Sequence, residues 1–145
     1  MQISEWMTTV PITVSPATPV SEARELMQRK QIRHLLVLEG ERLAGIITDR
    51  DIKLNLPSPA TSLSVWEVNY LLTRLTVGEV MTKHVITTGP ERPVAEAVRL
   101  MLVHKIGALP VTEEGRVVGI ITETDLLRAF ARRLEVEIAP QSAHP

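Results

Sequence analysis

Two acidic residues follow the same apolar run at two places in the chain. Residues 45–51 and 119–125 both read Gly-Ile-Ile-Thr-x-x-Asp, ending at Asp51 and Asp125. An ionised carboxylate has two acceptor oxygens, which suits the two hydroxyls of a ribose, and a threonine hydroxyl adds a further contact. Each motif follows a strand-like run and begins a helix, which is where ligands tend to bind in α/β folds. The pattern therefore predicts a nucleoside site.

The same spacing also has a purely structural interpretation. A threonine three residues before an acid is typical of a helix N-cap, with Thr48 or Thr122 as the capping residue. One such motif taken alone is more often structural. Its occurrence twice, after an apolar strand each time, favours a binding role for the pair.

The two motifs are the ends of a longer internal repeat. Residues 5–51 return as residues 79–125 with a constant offset of 74 and no gap, and 22 of the 47 positions are identical. Such a repeat indicates two copies of one supersecondary unit. Each copy predicts strand, helix, strand, strand and helix, with the first helix opened by Pro19 or Pro93. The predicted strands are 12–14, 35–38 and 43–47 in the first copy, and 85–87, 109–111 and 117–121 in the second.

The remaining segments read as a connector and a tail. We divide the chain into a first repeat at 1–56, a linker at 57–78, a second repeat at 79–134 and a flexible tail at 135–145. The linker begins as a Pro- and Ser-rich loop. Ser64 and Glu67 then have capping-box spacing before an amphipathic helix, whose apolar stripe covers either its own core or a partner subunit.

Composition narrows the class of protein. The chain has 145 residues, 44% hydrophobic and 3% aromatic, with a net charge of −1 and no cysteine. This fits one globular domain with an aliphatic core shared by the halves, in a reducing compartment, and we expect a cytoplasmic protein. No basic block predicts nucleic-acid binding, and no apolar run predicts a membrane span. The four histidines lack metal-ligand spacing, and no nucleophile has a local base, so we expect no enzyme.

The motifs together resemble the CBS-domain family in its tandem form, the Bateman module. The resemblance rests on Met7-Thr8 and Met81-Thr82, on the HLLV and ALPV strands, and on the two GIIT-x-x-D ends. It implies an α/β fold in which each repeat is a three-stranded sheet with two helices, the repeats pack by pseudo-twofold symmetry, and adenosine ligands such as AMP, ADP or ATP bind in the cleft between repeats. No obligatory cofactor is implied.

The resemblance also implies roles for individual residues. It assigns ribose binding to Asp51 and Asp125 and the companion hydroxyl to Thr48 and Thr122. The residues expected to line the pocket or contact the base are Ile46 and Ile120, with Ile12, Thr13, Ile86 and Thr87 from the first strand of each copy.

Groups that could contact phosphate differ between the copies. The first copy has Arg33, His34 and Arg50, whereas the second has glycine, alanine and threonine at those positions. We therefore expect one competent nucleotide site and one weak or specialised site. The resemblance further implies a homodimer, for which the candidate contacts are Ile52, Leu54, Leu126, Leu127 and Phe130.

Three functions remain open at this stage. The first is an adenine-nucleotide sensor that passes a conformational change to a regulated protein. The second is a structural or partner-docking module with vestigial nucleotide sites. The third, a small nucleotide hydrolase, lacks a recognisable base or metal cluster.

Overall fold

The chain forms two compact units that do not follow the order of the sequence. The computed structural model describes residues 1–56 and 63–142, without the side chains of residues 136–142. One unit, called here the 11–85 unit, contains Pro11–Val85 with Gly115–Val117. The other, called the 86–142 unit, contains Ile86–Glu114 and the chain from Val118 onward, together with Met1–Val10. Each unit therefore includes the opening segment of the other repeat.

The 11–85 unit is a three-stranded sheet with helices. Strand β1 pairs in parallel with β2, and β2 pairs antiparallel with β3. The elements are β1 (Thr13–Val14), α1 (Val20–Lys30), β2 (His34–Glu39), β3 (Arg42–Thr48), α2 (Asp49–Leu54), α3 (Val65–Arg74) and α4 (Val77–Val80). The sequence predicts all three strands to within two residues. Pro19 is the N-cap of α1 rather than its first residue, so the predicted helix start is wrong by one position.

The core of this unit lies on one face of the sheet. Alternate strand residues, Leu35 and Val37 on β2 and Ile47 on β3, are fully buried against the helices. Ile52 of α2 joins this cluster and is 1% exposed. The prediction that Ile52 contacts a second subunit is therefore wrong: its side chain completes the core of its own unit.

The connector helix α3 is amphipathic, as its sequence predicts. Ser64 and Glu67 form a capping box at its start. Leu72 is fully buried in the core of the 11–85 unit, whereas Trp66 and Tyr70 are 84% and 60% exposed. The apolar stripe thus covers its own unit. The preceding loop falls mostly on residues 57–62, which lie outside the described residues.

The 86–142 unit has a smaller sheet. Its elements are α5 (Val94–His104), β4 (Ala108–Glu113), β5 (Arg116–Thr122) and α6 (Glu123–Ser142), with a 3-10 turn at Ile3–Glu5. Pro93 is the N-cap of α5, one position before its first residue. Helix α6 continues into the segment for which the sequence predicts a flexible tail, and residues 143–145 lie outside the described residues.

The predicted first strand of the second copy, Val85–Thr87, does not form. A single parallel bridge joins Thr88 to Val111 instead, and only β4 and β5 make a sheet. The residue before Val111 is Pro110, which lacks the N–H that would bond to the next carbonyl along the ladder. The first copy has Leu36 at this position and keeps its strand. A three-stranded sheet in both repeats is therefore a wrong expectation.

The core of the 86–142 unit repeats the arrangement in the first unit. Leu109, Val111 and Ile121 are buried on one face of the sheet, with Met101 of α5 packed against them. Leu126 is partly buried against this cluster. It was predicted to be a subunit contact, but it packs within its own unit, like its counterpart Ile52.

Candidate ligand site

The first Thr-x-x-Asp motif forms a helix cap that uses one of the two carboxylate oxygens of Asp51. Strand β3 ends at Thr48 and α2 begins directly after it. The Thr48 N–H donates to Asp51 Oδ2 at 2.9 Å, and the Asp51 N–H donates to Thr48 Oγ1 at 3.0 Å. The structural interpretation of the motif is therefore correct for one carboxylate oxygen. The other, Oδ1, accepts no hydrogen bond from the described residues.

Two of the residues predicted to contact phosphate lie beside this motif. In the antiparallel register of β2 and β3, His34 faces Thr48. The Asp49 N–H donates to the Arg33 carbonyl oxygen at 3.0 Å, which ties the start of α2 to the start of β2. Arg33 and Arg50 are exposed. Arg33 and His34 thus lie on the strand end next to the motif and Arg50 lies within it, and the two arginine charges favour an anion near this end of the sheet.

The sheet separates the predicted pocket residues into two faces. Thr13 pairs with Leu36, and Leu36 pairs with Ile46, so these three side chains form one row. This row lies on the face opposite the hydrophobic core, with His34 and Thr48. Ile12 packs against the core instead. Its side chain lies away from the motif, which leaves only its backbone to contact a ligand on the site face.

The second motif has a more completely satisfied carboxylate. Asp125 is 4% exposed. Its Oδ2 accepts hydrogen bonds from the Thr122 N–H at 2.9 Å and from Thr122 Oγ1 at 3.1 Å. Its Oδ1 faces Arg128 Nη1 at 3.2 Å. Both oxygens of this carboxylate are therefore occupied by the protein itself.

The other residues of the second site follow the same division between faces. Ile86 packs against the core of its unit, whereas Thr87 is exposed. Ile120 is 8% exposed and precedes the core residue Ile121. Thr124 stands where the first copy has Arg50, and it is exposed. The predicted difference in basic residues is thus accompanied by a difference in how the two carboxylates are held.

The Met-Thr segments lie next to the pocket residues, which sequence reasoning did not predict. Thr82 and Ile46 exchange backbone hydrogen bonds of 2.8 and 3.0 Å, and Thr8 and Ile120 do the same. The Thr82 segment thus covers the outer edge of β3 at Ile46, and the Thr8 segment covers the outer edge of β5 at Ile120. The signal was available in the sequence, since Met-Thr recurs with the offset of 74. Nothing in the local pattern says that each segment pairs with the other copy.

A glycine makes each of these edge pairings possible. A Cβ atom on Gly45 would lie 2.6 Å from the Thr82 carbonyl oxygen, and one on Gly119 would lie 2.6 Å from that of Thr8. Real side chains do not pack at this distance. The first residue of each GIIT motif is therefore required for close approach of the backbone.

Within residues 1–56 and 63–142, no group of three His, Asp or Glu side chains is arranged to hold a metal ion. None of the helices there combines the length and the apolar character needed to cross a membrane.

Comparison with known proteins identifies the family. The CBS domain model matches residues 3–58 and 77–132. The chain belongs to the CBS-domain family. A CBS domain-containing protein of Dictyostelium discoideum is 33% identical over 132 residues, covering 90% of each chain. An inosine-5′-monophosphate dehydrogenase of Korarchaeum cryptofilum is 40% identical over 116 residues, but this CBS chain spans only 21% of that enzyme.

Solved CBS structures of similar fold contain adenosine compounds. The CBS pair of protein MJ0100, in complex with 5′-methylthioadenosine and S-adenosyl-L-methionine, has a TM-score of 0.75 and 27% identity, covering 92% of this chain and 98% of that one. The protein CBSX2 in complex with AMP has a TM-score of 0.75 and 29% identity, covering 90% and 97%. All three of these compounds contain a ribose diol, the group that a Thr-x-x-Asp carboxylate suits.

Proposed function

We propose that this CBS pair is a regulatory module that binds an adenine nucleotide, of the AMP, ADP or ATP type, rather than an enzyme. The observation that carries the proposal is Asp51 Oδ1 at the carboxyl end of β3, which accepts no hydrogen bond from residues 1–56 or 63–142. A ribose hydroxyl would donate to this oxygen. His34, Arg33 and Arg50 on the adjoining segments would favour the phosphate, and the exposed Thr13 would offer a surface for the base, with the buried Ile46 in the same row.

The other Asp would provide a second, weaker site. Asp125 has the same position in its motif, and Ile120, Thr122 and Thr87 correspond to the first-copy residues Ile46, Thr48 and Thr13, but its carboxylate already accepts three hydrogen bonds. Ile12 and Ile86 would contribute backbone groups only, because their side chains pack on the cores. We therefore infer that the Asp51 site binds nucleotide more tightly.

Isothermal titration calorimetry with AMP tests both statements. Asp51→Asn removes an acceptor for the ribose hydroxyls while an amide oxygen can still cap α2. A hydrogen bond to a charged group contributes about 1.5–3 kcal/mol, so we expect affinity to fall about 10- to 150-fold. Asp125→Asn should leave the tighter phase unchanged. Equal losses in the two variants would contradict the asymmetry, and no heat from the wild type with AMP, ADP or ATP would reject the function.

A matched control is available in the same helical turn. Asp49 lies two residues before Asp51, and its carboxylate pairs with Lys53 at 3.0 Å. Asp49→Asn removes one negative charge from the start of α2 without touching Asp51. We expect the AMP affinity of this variant to stay within about twofold of the wild type.

Ligand binding would act through a partner protein. A ligand can shift a conformational equilibrium only by its difference in affinity between the states, so the regulated protein must distinguish the bound from the free module. We also propose a cytoplasmic homodimer. Of the candidate contacts named from the sequence, Leu54, Leu127 and Phe130 are 72%, 67% and 58% exposed. Light scattering that gives a monomer at micromolar concentration would reject the dimer.

One observation favours a second function, a docking module whose nucleotide sites are vestigial. Asp125 is buried and satisfied by Thr122 and Arg128, as expected for a helix cap with no ligand to bind. A thermal-shift series separates the two functions. A ligand that binds only the folded state raises the melting temperature with its concentration, whereas a docking module shows no shift with any adenosine compound.

A further inference from the structure

The two carboxylates differ in one neighbour that the repeat alone does not explain. Arg128 Nη1 lies 3.2 Å from Asp125 Oδ1, the oxygen that Thr122 leaves free. The Arg128 side chain is 68% exposed, whereas that of Asp125 is 6% exposed. A largely exposed guanidinium thus occupies the Asp125 carboxylate oxygen that Thr122 does not use.

The first copy has no equivalent of this contact. The residue 74 positions before Arg128 is Leu54, three residues after Asp51 in α2. Leu54 has no donor and is 72% exposed. Among the described residues, nothing donates to Asp51 Oδ1. Of the two residues at this position, Arg128 alone has a side-chain donor for the carboxylate oxygen that the threonine leaves free.

We propose that Arg128 lowers the affinity of the second site for ligand, because its guanidinium competes with the ribose hydroxyl for Asp125. The inference rests on the proposed function. A ribose hydroxyl reaches Asp125 Oδ1 only after Arg128 moves away. Because the arginine is largely exposed, its release is feasible, and the competition costs about fivefold in affinity.

This competition makes the adenosine affinity of the second site depend on ionic strength. An arginine with a merely structural role would not produce that dependence. Salt screens the attraction between Arg128 and Asp125, which makes the oxygen more available. Adenosine carries no charge, so its own binding has no direct dependence on salt. We therefore expect adenosine to bind the second site more tightly as ionic strength rises, the reverse of what screening does to a charged nucleotide.

The experiment exchanges the two residues. In an Asp51→Asn background, which isolates the second site, Arg128→Leu should tighten adenosine binding about fivefold and abolish its increase with salt. In an Asp125→Asn background, Leu54→Arg should weaken adenosine binding at the first site by a similar factor. Calorimetry measures affinity at low and high salt, and thermal unfolding of each variant confirms that it is folded.

The outcomes distinguish this inference from the function on which it rests. If the wild type binds neither adenosine nor AMP, the proposed function fails and the inference fails with it. If the wild type binds but the exchange variants keep unchanged affinities and salt dependence, only the inference is overturned. Failure of the isolated second site to bind adenosine even after Arg128→Leu also overturns it, while the first site still supports the proposed function.

Discussion

Thr88 offers a direct test of the packing in the 86–142 unit, because it buries a hydroxyl without a partner. Thr88 is 8% exposed and pairs with Val111, a core residue, so its side chain faces the core. Its Oγ1 is inaccessible to solvent and has no hydrogen-bond partner among the described residues. The equivalent residue in the first copy is Val14, which packs against the core of its unit.

The substitution Thr88→Val should therefore stabilise the protein. Valine has nearly the same shape as threonine and presents a methyl group where the hydroxyl is. Burying a hydroxyl without a hydrogen bond costs about 1–3 kcal/mol in proteins. Allowing for incomplete burial, we expect a gain of about 1 kcal/mol. For a chain of this size that raises the melting temperature by about 2–4 °C.

Calorimetric or circular-dichroism melts measure the change, and neighbouring positions supply the controls. Thr87→Val alters the adjacent exposed threonine and should change stability by less than about 0.5 kcal/mol. Val14→Thr places the hydroxyl in the first copy and should destabilise it, by less than about 3 kcal/mol because Val14 is only partly buried. If Thr88→Val were neutral or destabilising, the hydroxyl must be satisfied in solution, and the reasoning from its lack of a partner would be refuted.

Two further predictions concern backbone approach and pH. Gly45→Ala should cost about 1–3 kcal/mol in urea unfolding, because its Cβ would lie 2.6 Å from the Thr82 carbonyl oxygen. Gly89→Ala is the control, with its nearest contact at 3.5 Å; an equal loss there would argue against a special role for Gly45. The hydrogen bond from Arg92 lowers the pKa of Glu96 in the folded protein. The pair therefore adds stability above the ordinary glutamate pKa of about 4.3, and this stability is lost as the pH falls through the lower pKa of the folded state. The stability difference between wild type and Glu96→Gln should shrink from about pH 5 to pH 3, and a constant difference would contradict this sign.

Local sequence determined most of the secondary structure and the nature of the motifs. The alternation of Leu35 and Val37 with their neighbours predicts a strand with one core face, and this strand forms. Thr48 and Asp51 stand at capping-box spacing, and the box forms. These features depend on contacts between residues three or four positions apart, or on a simple period of two, so one segment of sequence contains the information.

Tertiary structure decided which segments meet and what each side chain then contacts. Pairing of Thr82 with Ile46 joins residues far apart in the sequence, and no local pattern specifies it. Ile52 is an apolar residue that was predicted to contact a second subunit, but it lies in the core of its own unit, where the sheet packs against it. Arg128 and Asp125 are only three residues apart in α6, so their contact is local, whereas the burial of Asp125 depends on the packing of its unit. The two copies are alike in motif, but their carboxylates differ because burial and charge depend on neighbours that the repeat does not share.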